Sequence, residues 1–199
     1  MKNKEKNWSA FYRQGLAPKE PTDFCRFIMG LNIPADSVID VGCGNGRDAK
    51  LLSERYITIG IDKNFEASQS SIRDYIKVPA SNLMTAIIAD DFVNFLPLIR
   101  NAGIIYSRFF LHSISNHDII TLLRNTKRYF CAEFRIKGDK PKLYQDHERN
   151  FIDPADLMRL AIDCGFEIIY YYQGNGLAKY KDEDPLVGRI VLRRKLWRE

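Results

Sequence analysis

Carboxylates that end apolar runs, and glycines that follow one of them at once, are the residues spaced for chemistry in this chain. Asp40 sits inside the run Val38-Ile39-Asp40-Val41, and Gly42, Gly44 and Gly46 follow before Arg47-Asp48-Ala49-Lys50-Leu51-Leu52. Alternate glycines free the backbone for a tight turn and remove the Cβ atoms that would hold a ligand off the main chain. The β-branched run reads as a buried strand and the residues beyond Gly46 as a helix to about Tyr56, so unpaired helix amides face whatever lies in the turn. A second β-branched run, Ile57-Thr58-Ile59-Gly60-Ile61, ends in Asp62. An acid there, about 20 residues past the glycines, is placed to accept both hydroxyls of an adenosine ribose.

The glycine spacing selects among nucleoside ligands. A dinucleotide fingerprint needs its third glycine at position 47, which is Arg47 here, and this disfavours a nicotinamide dehydrogenase. The observed pattern is G-x-G-x-G with an acid two residues ahead, and it resembles the first motif of the class I S-adenosylmethionine-dependent methyltransferases. The resemblance runs from about Trp8 to Trp197. It implies a Rossmann-like α/β fold, with a seven-stranded, mostly parallel sheet carrying one antiparallel strand and helices on both faces. The implied cofactor is S-adenosylmethionine. Asp40, Gly42, Gly44 and Gly46 then form the loop against its methionine part, and Asp62 with Lys63 lies at the ribose. Asp90 lies at the adenine amino group, Asp91 presents its backbone to the ring, and Tyr106 and Ser107 border the methionine. Residues 1–22, with Trp8, Phe11 and Tyr12, correspond to a segment that closes over the cofactor as a lid, and Arg13 becomes a partner for the methionine carboxylate.

The remaining elements follow from periodicity and caps. Phe24, Phe27, Ile28 and Leu31 mark an amphipathic helix ending near Gly30, and a helix is expected from Phe65 to Ile76. The third strand is Thr85 to Ala89, followed by a helical segment over 93–100 interrupted by Pro97. One of the two aspartates after the third strand equally suits a helix N-cap. Gly103 to Ser107 is the fourth strand, and Asn116 and Asp118 read as caps of a helix through Arg128. The fifth strand, Tyr129 to Arg135, puts Glu133 and Arg135 on one face. Asp153 and Pro154 start a helix that Gly165 stops, and the strands Phe166 to Tyr172 and Arg189 to Leu196 pair as an antiparallel hairpin.

Acceptor chemistry is expected at the carboxyl edge of strands four and five. His112 or His147 would be the general base, because imidazole titrates near neutrality, and Glu133 would orient it. Arg108, Arg135, His147 and Arg149 would converge on a phosphate or carboxylate, which guanidinium groups grip with paired hydrogen bonds. The bland alternative pairs them with Asp139, Asp146 and Glu148 as surface salt bridges worth under about 1 kcal/mol each. The N-methyltransferase signature Asn/Asp-Pro-Pro-Tyr/Phe is absent after strand four. Tyr106-Ser-Arg-Phe-Phe-Leu-His-Ser113 instead resembles small bacterial methyltransferases associated with surface-polysaccharide biosynthesis. Taken with the converging cations, this gives the expected acceptor: a small anionic metabolite methylated at oxygen. A polar segment over 137–149 is long enough to hold such a substrate. An RNA methyltransferase and a non-catalytic cofactor-binding protein remain as alternatives.

At 199 residues and 23.1 kDa the chain is expected to form one domain, 1–199. Its net charge of +5 comes from dispersed basic residues, and Arg193, Arg194, Lys195 and Arg198 are a thin footprint for nucleic acid. Cys25, Cys43, Cys131 and Cys164 have neither metal-ligand nor disulfide-framework spacing with respect to one another or the histidines, so no metal is expected. No apolar run approaches a membrane span and the start is polar, which points to the cytoplasm. A monomer and a homodimer are both compatible with the sequence.

Overall fold

The computed structural model describes residues 4–67, 85–139 and 150–195. Helix α1 (Lys4–Arg13) and helix α2 (Asp23–Gly30) precede a βαβ unit of β1 (Ser37–Val41), α3 (Arg47–Leu52) and β2 (Ile57–Ile61). Next come β3 (Thr85–Ile88), α4 (Leu96–Asn101), β4 (Ile104–Arg108), α5 (Asn116–Asn125) and β5 (Tyr129–Arg135). The chain continues through α6 (Pro154–Asp163), β6 (Phe166–Gly174) and β7 (Val187–Arg194). The seven strands form one sheet in the order β3-β2-β1-β4-β5-β7-β6. Five strands run parallel as far as β5, and β7 pairs antiparallel with both β5 and β6.

Alternation along the strands builds two cores. Val38, Ile104, Tyr106, Cys131 and Val191 face α2, where they meet Phe24, Cys25 and Ile28. Ile39, Val41, Ile105, Phe130, Ala132 and Phe134 face the other way, against Ile99, Ile119, Leu122, Leu123, Leu157 and Ala161. A sheet covered on both faces needs apolar side chains on both, which is why its strands read as nearly continuous hydrophobic runs. The polarity reverses as they reach the carboxyl edge, at Asp40, Asp62, Arg108, Glu133 and Arg135.

Several boundaries differ from the sequence expectation for local reasons. Pro97 lies in the first turn of α4, where its missing N–H costs nothing, so it starts the helix after a 3₁₀ turn over Phe92–Phe95 and does not interrupt it. Ser115, not Asn116, caps α5, in a reciprocal capping box with Asp118. That helix stops at Asn125, because Thr126 turns extended while its amide and hydroxyl bond back to Leu122. Helix α3 ends at Leu52, short of Tyr56. The expected helix from Phe65 is observed over 65–67, and its remainder lies outside the described residues. Among the described residues no helix is long and apolar enough to cross a membrane.

Candidate active site

The end of β1 and the loop after it form the centre of the site. Gly42, Gly44 and Gly46 all have left-handed φ, at +76°, +56° and +71°. These conformations strain any residue with a Cβ, so the spacing is a backbone requirement. The Gly42 amide donates to the Ile61 carbonyl at 2.8 Å, binding the loop to the end of β2. Asp62 completes the join: its Oδ2 accepts from Gly44 N and its Oδ1 from Asn64 N, each at 2.8 Å. Burial holds this carboxyl above the usual carboxylate range and the two amides oppose the shift. Each oxygen keeps lone-pair capacity for a further donor. Asp62 and the glycine loop are therefore one hydrogen-bonded unit.

Asp40 is buried, and its Oδ2 has no partner among the described residues. Burial, then the carboxylates of Asp48 and Asp62, push its pKa well above the ordinary value. A buried orphan oxygen is costly, and a cationic group brought to it removes that cost. Asp48, in the first turn of α3, is satisfied: it accepts from Thr22 N and Oγ1 at 2.8 Å each and from the Tyr106 hydroxyl at 2.7 Å. Tyr106 is consequently fully buried, its ring stacked on Phe24 at 5.3 Å. Its side chain braces α2 against the loop.

Two aromatic rings lie on the loop. A Cβ at Gly42 would stand 2.7 Å from Cγ of Phe110, and one at Gly44 would collide with the Tyr12 hydroxyl and stand 3.3 Å from Tyr12 Cζ. Burial raises the Tyr12 phenol pKa strongly, and the charges of Asp62, Cys43 and Asp40 add to the shift.

At the ends of β4, β5 and β7 a row of charge crosses the sheet. Arg108 Nε bonds Glu133 Oε1 at 2.9 Å, and Arg189 Nε bonds Glu133 Oε2 at 2.7 Å. Glu133 is drawn upward by burial and downward by both arginines. Arg135 is neutralised differently, by Asp139 at 2.8 Å and by Glu183, with its Nε unpartnered among the described residues. Phe109, at a φ of +55°, presents its ring to both cations, 4.2 Å from the Arg108 guanidinium and 5.5 Å from that of Arg135. One carboxylate between two arginines leaves Arg108, which is 17 % exposed, with unneutralised charge at the rim.

Several expected residues sit differently. Glu133 holds arginines and not a histidine. His112 is buried, and its Nδ1 accepts from the Arg135 amide at 3.4 Å. A neutral ring in that arrangement carries its proton on Nε2, as a donor does, and not as a general base requires. Arg108 and Arg135 do reach one edge, but as members of buried ion pairs, so neither the open cation cluster nor the surface-pair alternative describes them. His147 and Arg149 lie outside the described residues, as do Asp146 and Glu148. Arg13 is exposed, bonding Ser9 O within its own helix and pairing with Glu66 at 3.7 Å. Lys63 is exposed too. Asp90 Oδ1 accepts from Asp91 N at 2.7 Å and from Asn94 Nδ2 at 3.0 Å, while Asp91 is the N-cap of the following turn. Ser107 is buried, with an Oγ unpartnered among the described residues. The sequence reading missed Thr22, Asp48, Phe110, Glu183 and Arg189. Only Asp48 carried a signal, as an acid beside the buried Ala49 of a short helix.

Among the described residues no cluster of His, Cys, Asp or Glu is arranged to hold a metal ion. A cavity of about 250 Å³ opens between α5, α6 and residues 150–153, lined by Ile119, Phe151, Ile152 and Leu157 among others; none of its lining residues belongs to the glycine loop.

This strand order, with a glycine loop after β1 and an antiparallel β7, is the class I methyltransferase fold. Solved structures bear out that assignment at low identity. A SAM-dependent methyltransferase from Anabaena variabilis is 18 % identical, with a TM-score of 0.67 over 98 % of this chain and 96 % of that one. Magnesium protoporphyrin IX methyltransferase from Synechocystis, solved with bound SAM, gives a TM-score of 0.62 at 14 % identity over 98 % of this chain and 86 % of its own. The [4+2]-cyclase SpnF gives 0.68 at 14 % identity, covering 86 % and 80 % of the two chains. No protein-family model matches the sequence, and no curated protein does.

Proposed function

We propose that this chain is an S-adenosylmethionine-dependent methyltransferase. Its acceptor is a small phosphorylated or carboxylated metabolite, methylated at oxygen, in the assembly of surface polysaccharide. The observation that carries the cofactor is the union of glycine loop and Asp62: a Cβ-free backbone cradle whose own amide orients a carboxylate for ribose hydroxyls. The orphan Oδ2 of Asp40 suits the cofactor's ammonium group, and structures of this fold solved with SAM and SAH support the same ligand.

The bound sulfonium supplies an electrophilic methyl group. The protein's part is to hold an acceptor in line with it and to manage one proton. Asp62 with Lys63 holds the ribose, Asp40 the ammonium, and Asp90 and Asp91 border the adenine. Arg108, with charge left over from Glu133, binds the acceptor's oxyanion. His147 is the candidate base.

The fold alone does not decide the reaction, since SpnF is a [4+2]-cyclase. Transfer of label from S-adenosylmethionine, tested against phosphosugars, nucleotide sugars, carboxylic acids and RNA, is expected on an anionic small molecule and not on RNA. Label on RNA alone would replace the acceptor, and binding without transfer to any class would leave a cofactor-binding protein. Arg108→Ala is expected to raise the acceptor KM about 10- to 100-fold, the size of one charge-assisted hydrogen-bonded pair, with cofactor affinity unchanged. Arg135→Ala should instead act on stability, because its guanidinium is already held by Asp139 and Glu183.

A further inference from the structure

We propose that β6 is a self-pairing edge: two copies of this chain join their β6 strands antiparallel about a two-fold axis, turning two sheets of seven strands into one. Pairing of this kind is independent of the reaction proposed above. β6 lies outermost beside β7, and its nine residues leave an outer backbone edge with no partner among the described residues. Unpaired amides and carbonyls along a strand are a template for another strand, so exposed edges are commonly short or carry lysine or proline. β6 has none of these features. It does have a bulge at Ile168–Tyr170, which bends a strand, but pairing with β7 is regular again from Tyr170 to Gly174.

The flanks of this edge select a second copy over a lone peptide, because both apolar layers of the molecule end here unfinished. On one face Tyr170 packs on Phe27 of α2, with ring centroids 4.8 Å apart, and Tyr172, two residues on, is 53 % exposed. On the other face α6 covers β6. Asp156, Leu157 and Leu160 of α6 line the cavity toward α5, so Met158 and Ile162, four residues apart, lie on the flank toward the edge. Ile162 is 51 % exposed, and Ile169 in the bulge 48 %. A peptide added to β6 would match its backbone and leave these flanks bare. A second copy, related by an axis normal to the sheet, brings α6 to α6 on one face and the aromatic margin to its own copy on the other. Charge permits the same partner: Glu167 is the only charged residue of β6 and already pairs with Arg193 at 2.6 Å. Antiparallel pairing centred anywhere from Tyr170 to Tyr172 sets Glu167 opposite a residue between Gln173 and Leu177, all uncharged, and never opposite its own copy. A strand of this length with a helix layer on each face presents about 30 Å by about 20 Å, or about 600 Å² in projection, near the roughly 800 Å² of accessible surface per partner in a stable interface.

Sedimentation equilibrium of the full chain is expected to show twice the 23.1 kDa mass, with a dissociation constant of about 10 µM or below. Ile169→Lys and Tyr172→Lys each set like charges across the two-fold axis and should weaken association about tenfold or more, at an unchanged urea midpoint. Amide exchange across 166–174 in the unmodified protein should slow as its concentration rises, a readout that needs no variant. A chain that stays monomeric at high micromolar concentration overturns the pairing and leaves the edge to a strand from a different partner. A dimer that both lysine variants retain, or exchange across β6 indifferent to concentration, overturns it as well by placing the contact elsewhere.

Discussion

Glu133→Ala is expected to lower stability by about 3–5 kcal/mol, read as a fall in the urea midpoint at constant slope. The substitution leaves Arg108 and Arg189 without the carboxylate they share, in a place where Glu133 is 1 % exposed and the Arg189 side chain 9 %. Glu133→Gln keeps the shape and should cost less, which separates loss of charge from loss of packing. The pH dependence has a definite sign. Burial outweighs both arginines and raises the folded-state pKa, so the folded protein binds this proton more readily than the unfolded chain. The group's contribution to stability is fully present below the ordinary glutamate pKa and is lost as pH rises through the raised value. Glu133→Gln should remove that portion of the pH profile, and an unchanged profile would mean that the carboxyl does not titrate in this window.

Asp62→Ala is expected to weaken S-adenosylmethionine binding by about 2–4 kcal/mol, a loss of roughly 30- to 1000-fold, from two hydrogen bonds to a charged acceptor. The structure adds a second consequence, because Asp62 also satisfies the amides of Gly44 and Asn64. Stability should fall by about 1–3 kcal/mol as well, and Asp62→Asn should recover part of both losses. Calorimetry on the folded variant separates the two effects, and an unchanged affinity would remove Asp62 from the site.

The parts of this molecule that were legible beforehand are those whose signal is local. Three alternate glycines after an apolar run demand left-handed backbone, and Gly42, Gly44 and Gly46 have it. Asp153 followed by Pro154 is a helix start by the chemistry of both residues, and α6 begins there. The face alternation of Glu133 and Arg135 was equally readable, but their partners were not. Arg189 reaches Glu133 only because β7 lies antiparallel beside β5, and Glu183 reaches Arg135 from the loop before β7. Pairings across 56 or 48 residues are set by tertiary register and leave no trace in spacing. Tyr106 shows the converse. The family resemblance suggested a ligand contact at this position in the fourth strand, yet period two turns the side chain into the α2 core, where a hydroxyl needs a partner and Asp48 provides it.

The place of β7 has a consequence for how the chain comes together on the ribosome. It is the latest of the seven strands to be synthesised, yet it lies between β5 and β6 and pairs with both along their length. Until it emerges, β5 has an open side and β6 has no neighbour at all, while Tyr170, Tyr171 and Ile168 wait for Val191, Ile190 and Leu192. The half of the sheet built on β1 to β4 can dock its helices during translation, whereas the half built on β5 to β7 must stay unlatched until β7 arrives. Its insertion joins Arg189 to Glu133 in the same movement. Assembly of the charged row thus waits on β7, and a nascent chain stalled before Val187 would present the unmatched edges of β5 and β6 to any chaperone able to bind them.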